Sequence, residues 1–188
     1  GMALGFYLPG PQVLAAATDL EGAISGKPWI PPTDGAGAEV NAWLLISPDD
    51  TVTIRVAQSE MGEGVFTSMP MIIAEELQCD WGKVKAEYAS ANRNLKEGKV
   101  YKWMVTSSGN AVTRSLEYLQ QAGASARERL IQAAADQWKV PASSCTAKDS
   151  VVTHTATGRT LRYGELASTA ATIQLAQEPA IKKPGQYT

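Results

Sequence analysis

The sequence predicts an α+β fold: a mixed or antiparallel sheet with two main helices packed on one face. Three observations predict it. Residues 42–46 and 51–56 are strand-length runs around a turn, with Val52, Ile54 and Val56 on one face and Thr51, Thr53 and Arg55 on the other. Residues 68–77 place Met69, Ile72, Ile73 and Leu77 at helical spacing. Residues 111–137 do the same over a longer stretch, through Val112, Leu116, Leu119, Ala122, Ala126, Leu130 and Ala134.

In chain order, residues 1–39 are rich in Pro, Gly and Ala and show neither period, so an irregular N-terminal arm is expected. Gly1 ahead of Met2 reads as a remnant of tag removal. Ser47-Pro48-Asp49-Asp50 is the chemistry of a type I turn, with Pro at its second position. The first strand is apolar on both faces, which predicts a central or doubly covered strand. The helix over 68–77 is expected to be capped by Thr67 or Ser68, so that Pro70 falls in its first turn, and to turn Glu75 and Glu76 outward at least in part. Residues 84–88 predict a third strand with Val84, Ala86 and Tyr88 inward, and 91–108 a long loop. Residues 150–154 and 160–162 predict a hairpin and 163–171 a short helix. A body over 40–175 and a linker over 176–188 complete the expected organisation.

The composition narrows the function. With 44% apolar and 19% charged residues the chain is globular in type. A net charge of -2, without a basic block, argues against nucleic acid as a partner. Cys79 and Cys145 form no CxxC pair and read as buried thiols, with a disulfide open to them in an exported protein. The single histidine, His154, sits among threonines and reads as a surface residue; no His-based metal site or triad is available.

Two stretches carry candidate chemistry. Met61-Gly62-Glu63-Gly64 lies between a strand and a helix, and Thr106-Ser107-Ser108-Gly109-Asn110 opens the long helix. Unpaired N–H groups and the dipole at a helix start favour anions, and glycine permits positive φ. The expectation is that both turns converge on one negatively charged group. For Glu60 and Glu63 a turn or capping role is expected rather than catalysis.

The ordered blocks resemble a known family. They are Ser-Glu-Met-Gly-Glu-Gly-Val-Phe-Thr-Ser-Met-Pro-Met-Ile-Ile-Ala-Glu-Glu-Leu over 59–77, Asp80-Trp81, Lys83-Val84, Gln121-Ala122-Gly123-Ala124, Trp138-Lys139-Val140-Pro141, Cys145, Gly158-Arg159 and Tyr163-Gly164-Glu165-Leu166. This set resembles the molybdopterin-binding large subunit of the xanthine oxidase family, in the branch of isoquinoline 1-oxidoreductase β subunits and membrane-bound aldehyde dehydrogenases. The fold would then be part of a molybdopterin-binding domain. The resemblance implies a molybdenum hydroxylase that oxidises aldehydes or N-heterocycles, with water as the oxygen source. It implies molybdopterin cytosine dinucleotide as cofactor in the parent protein. It implies the rest of the large subunit and a small 2Fe–2S subunit as partners, with a cytochrome c subunit as a further candidate, and a parent protein that is periplasmic or membrane-associated on the periplasmic side. By the same resemblance Gly62, Glu63, Gly64, Thr106, Ser107, Ser108, Gly109 and Asn110 would contact cofactor. Glu63 departs from the family's usual glutamine, and Ser107 and Ser108 from its usual glycines. The family's catalytic glutamate segment, Gly-x-Gly-Glu, has no match here. No catalytic or metal-ligating residue is therefore carried over. The chain is expected to be an N-terminal fragment, inactive alone, that holds no cofactor and dimerises over an apolar face. A non-catalytic binding domain on the same fold is the alternative.

Overall fold

The computed structural model describes residues 37–187. The expected arm over 1–39 lies almost wholly outside the described residues. The body is α+β. Strands β1 (Ala38–Asn41), β2 (Leu44–Ile46), β3 (Val52–Val56) and β4 (Val84–Tyr88) form one sheet in that order. The first three pair antiparallel, and β3 and β4 pair parallel, with Val52 opposite Val84 and Val56 opposite Tyr88. A parallel pair needs a crossover, and helix α1 (Val65–Leu77) supplies it. After the short helix α2 (Ala91–Lys96), helix α3 (Ala111–Trp138) runs 28 residues. Strands β5 (Cys145–Lys148), β6 (Val151–His154) and β7 (Thr160–Arg162) form a second, antiparallel sheet, and α4 (Tyr163–Ala170) follows.

One core joins these parts. Leu44, Ile46, Val52 and Ile54 from the first sheet are fully buried with Ile73 and Leu77 of α1, Leu119 and Leu130 of α3, and Leu166 of α4. Gly123 of α3 lies directly against the α1 backbone: a Cβ there would stand 2.5 Å from the Ile73 carbonyl oxygen. Tyr163 is also fully buried, and its hydroxyl donates to the Leu77 carbonyl (2.7 Å) at the end of α1.

The turn at 47–50 forms as its residues dictate. Asp50 N donates to the Ser47 carbonyl (3.0 Å), and Asp50 takes φ 68, which returns the chain to β3. The Asp50 carboxylate is buried and accepts from Gly164 N (2.8 Å), Arg162 (2.9 Å) and Lys83 (3.1 Å). Burial pushes its pKa up, but the Gly164 N–H and the two cations outweigh that and hold it below the usual value. A carboxyl depressed in the folded state contributes stability above its unfolded pKa of about 3.9 and loses it as pH falls through the folded value. The thermal midpoint is therefore expected to fall as pH drops below the unfolded value of about 3.9, and Asp50→Asn to flatten part of that fall. Calorimetry across pH checks this.

Several expectations are corrected. Helix α1 starts at Val65 with Gly64 as its cap at φ 84, not at Ser68, so Pro70 lies in the second turn. Its ring stands where an N–H would have met the Phe66 carbonyl. Glu76 is fully buried, because Arg127 and the backbone N–H of Lys182 (2.8 Å) compensate its charge. Tyr88 is exposed; it packs its ring on Phe66 at 4.7 Å, outside the core. His154 is buried, with Nδ1 2.7 Å from Thr157 Oγ1. The expected loop over 91–108 contains α2, capped by Ser90, whose hydroxyl accepts from Arg93 N (3.2 Å). Strands β1 and β5 were not expected. Both cysteines are free thiols; Cys145 is buried, and burial pushes the half-buried Cys79 up to about 12.

Candidate functional site

The parallel pair β3–β4 sets the position of the first turn. The chain leaves the carboxyl end of β3 and must rise over the sheet to start α1, as at other strand-to-helix crossovers that form crevices for ligands. Gly62 (φ 103) and Gly64 (φ 84) make that reversal, and neither is crowded. Glu60, half-buried, curls its carboxylate under the turn. Oε1 accepts from Gly62 N (2.7 Å) and Gly64 N (2.9 Å), and Oε2 from Phe66 N (3.0 Å). The Phe66 N–H, then that of Gly64, holds the Glu60 carboxyl below the usual carboxylate range, against a smaller opposing effect of burial. Glu63 Oε2 accepts from Met61 N (3.0 Å).

The second turn precedes α3. Ser108 (φ 56) and Gly109 (φ 64) both take the left-handed region, and Asn110 N closes on the Ser107 carbonyl (3.4 Å). Two consecutive left-handed residues favour glycine or asparagine, so Ser108 carries some strain. The Asn110 amide, oriented by its neighbours, donates to the Ser107 carbonyl (3.0 Å) and accepts from Arg114 Nε (3.2 Å). The Arg114 guanidinium in turn lies 5.5 Å from the Trp103 ring.

The two turns meet. Thr106 Oγ1 donates to the Ser59 carbonyl (2.7 Å) across 47 residues of sequence. Gln58 is fully buried; its amide donates to the Trp103 carbonyl and to Ser115 Oγ (3.3 Å) in the second turn of α3. Between the turns lies a cavity of about 250 Å³. Glu63, Thr106, Ser107, Ser108 and Gly109 line it, with Met61, Val65, Ala111 and Val112. Of the eight candidate residues, Gly62, Gly64 and Asn110 shape the turns without lining the cavity. Gln58 was not singled out, because its partners Trp103 and Ser115 lie 45 and 57 residues away. Thr106→Val is expected to cost about 1 kcal/mol and to broaden the amide signals of residues 106–110; urea unfolding and NMR check it.

Known proteins resemble this chain. The molybdopterin cofactor-binding domain family matches residues 17–188. The chain belongs to that family. Isoquinoline 1-oxidoreductase subunit beta of Brevundimonas diminuta is 34% identical over 133 residues, which is 70% of this chain and 17% of that protein. A membrane-bound aldehyde dehydrogenase (pyrroloquinoline-quinone) of Gluconacetobacter polyoxogenes is 31% identical over 72% of this chain and 16% of its own length. The chain thus spans about a sixth of the length of these relatives. Quinoline 2-oxidoreductase from Pseudomonas putida 86 aligns with a TM-score of 0.50 at 19% identity, over 69% of this chain and 16% of that one, and shares the fold.

The domain's residues suit one end of such a cofactor. Hydroxyls, a glycine backbone and the start of a 28-residue helix face the cavity at one wall. These are donors for a phosphate-type group. The volume fits a phosphate or a ring edge and not a whole dinucleotide. Among the described residues no group of three His, Cys, Asp or Glu side chains is gathered to hold a metal.

Proposed function

We propose that this domain forms one wall of the cofactor site in a molybdenum hydroxylase large subunit of the xanthine oxidase family, acting on aldehydes or N-heterocycles. The convergence of two turns on one cavity beside the α3 N-terminus carries the reading. The names of the two relatives support the substrate classes, an aldehyde and an isoquinoline-type heterocycle.

On this reading Ser107, Ser108 and the first N–H groups of α3 hold an anionic group of molybdopterin cytosine dinucleotide, and Thr106 fixes the turn against Ser59. The bound cofactor supplies the oxidation chemistry, with water as oxygen source, while the domain binds and orients it. The catalytic carboxylate, a 2Fe–2S subunit and a cytochrome c subunit would come from outside this chain, and the whole would work in the periplasm.

The test is metal and pterin analysis of the protein encoded by the whole gene. Stoichiometric molybdenum and pterin, with both lost or sharply reduced in Ser108→Asp, is the expected result. Pyrroloquinoline quinone in place of pterin, or neither, overturns the reading. The Glu63, Ser107 and Ser108 departures favour a second reading, a domain that binds without redox chemistry, and the same analysis would then find no molybdenum in an intact, folded protein.

A further inference from the structure

The stretch from α2 into α3 carries charge that the fold does not use. Residues 91–116 hold five of the chain's 17 lysines and arginines and one of its 19 acids, so the rest of the chain is net acidic. Arg93 and Glu97 answer each other at 2.9 Å. Lys96, Lys99, Lys102 and Arg114 are left, all exposed, and none of them forms an ion pair among the described residues. Apolar side chains stand out of the fold between these cations: Leu95 is 77% exposed, Trp103 46% and Val105 48%. The Arg114 guanidinium lies over the Trp103 ring.

The segment is held in place from beneath. Tyr101, fully buried, packs its ring edge-on against Trp43 at 5.2 Å and anchors the middle of it. Lys99 N donates to the Asn94 carbonyl (2.7 Å), and Lys102 N to the Lys99 carbonyl (2.7 Å). These turns put Lys99 at φ 62 and Lys102 at φ 58. Glycine or asparagine adopts such an angle at lower cost, and a lysine there adds strain without adding a contact. Folding therefore does not call for lysine at either position.

We propose that the face formed by Lys96, Lys99, Lys102, Trp103 and Arg114 docks an acidic surface of a separate polypeptide. Exposed apolar side chains set among charges have the make-up of a protein interface, and Trp and Arg are the residues that most often carry its binding energy. The cations steer an acidic partner in, and Leu95 and Trp103 give it apolar surface to cover. A nucleic acid or an anionic bilayer would meet the same cations, but either is extended and would repel the net-acidic remainder of the chain. A protein partner touches the patch alone. The proposal does not depend on the cofactor reading, although the face runs on into Thr106 and so ends at the edge of the cavity.

Two measurements test it. In the first, the full 188-residue chain, labelled for amide NMR, is titrated with a short acidic peptide of Glu and Asp around a central Phe. The amides of residues 95–105 and 114 should shift, and the affinity should fall about tenfold as ionic strength rises from about 0.01 M to about 0.15 M. The double variant Lys99→Gly, Lys102→Gly should lose about tenfold in affinity yet keep or raise its melting temperature, whereas a structural role for the two lysines would lower it. In the second, the purified protein encoded by the whole gene is treated with an amine-acylating reagent, and Lys96, Lys99 and Lys102 should all be modified. A wild type whose 95–105 amides ignore the peptide overturns the proposal, as does a double variant that binds it undiminished or melts at a lower temperature. So does tighter binding of this face to equimolar phosphatidylglycerol–phosphatidylcholine vesicles or to a DNA duplex than to the peptide. Protection of the three lysines in the whole-gene protein would show that its own chain covers the face, and that too overturns the proposal.

Discussion

Gly123→Ala is expected to destabilise the domain by about 3 kcal/mol, a loss on the order of 10 °C in thermal midpoint. Helix propensity alone predicts the opposite sign, a gain of roughly 1 kcal/mol when glycine inside a helix becomes alanine. Packing decides. The added methyl would stand 2.5 Å from the Ile73 carbonyl oxygen, 2.7 Å from Glu76 Cβ and 3.2 Å from Leu77 N. Two of these are backbone atoms, and neither can swing aside as a side-chain tip would. Helices α1 and α3 must separate, which also strains the buried Glu76–Arg127 pair. Urea unfolding of the variant checks the size, and a stabilised variant would show that the helices stand further apart than described.

Glu39→Ala is expected to cost about 3 kcal/mol, the low end for breaking a buried pair, because two largely buried arginines lose their shared counter-ion while Arg55 keeps Glu87 (3.0 Å) and Arg93 keeps Glu97 (2.9 Å). Glu39 Oε1 accepts from Arg93 (2.6 Å) and Oε2 from Arg55 (2.6 Å), and their side chains are 12%, 9% and 16% exposed. Burial pushes the Glu39 carboxyl up, but Arg93 and Arg55 outweigh it and hold it below the ordinary value. Its contribution is thus present above the unfolded pKa of about 4.3 and disappears as pH falls through the lower folded value. The loss should reach the candidate site. Arg93 lies on α2, whose Asn94 carboxamide oxygen accepts from Tyr101 N (2.7 Å) at the head of the segment leading to Thr106. A double variant with Arg93→Ala should lose less than the sum of the two single losses, since both break one pair. Additive losses would refute the coupling.

The hairpin at 42–56, helix α3 and helix α4 were legible because local chemistry and final packing agree there. The two turns were legible as well, and the structure brings them together. What was hidden depended on distant partners. Glu76 reads as a surface residue until Arg127, 51 residues on, and Lys182, 106 on, arrive. The start of α1 was misplaced because its cap is a glycine and its N–H groups are served by a carboxylate upstream, so no Ser or Thr marks the boundary. Strand β5 was missed because Cys145–Lys148 becomes a strand only by pairing with β6, Cys145 opposite His154. Its neighbour His154 was misread for the same reason.

The stitches at Ser59–Thr106 and Gln58–Ser115 span 47 and 57 residues. Contacts so far apart in the chain close late, after the entropy of the intervening loops has been lost. The cavity is therefore complete only when both stitches are closed. A guest gripped by both walls favours the native state by mass action. A guest that bridges both walls should therefore raise the melting temperature in proportion to the logarithm of its concentration once it is in excess.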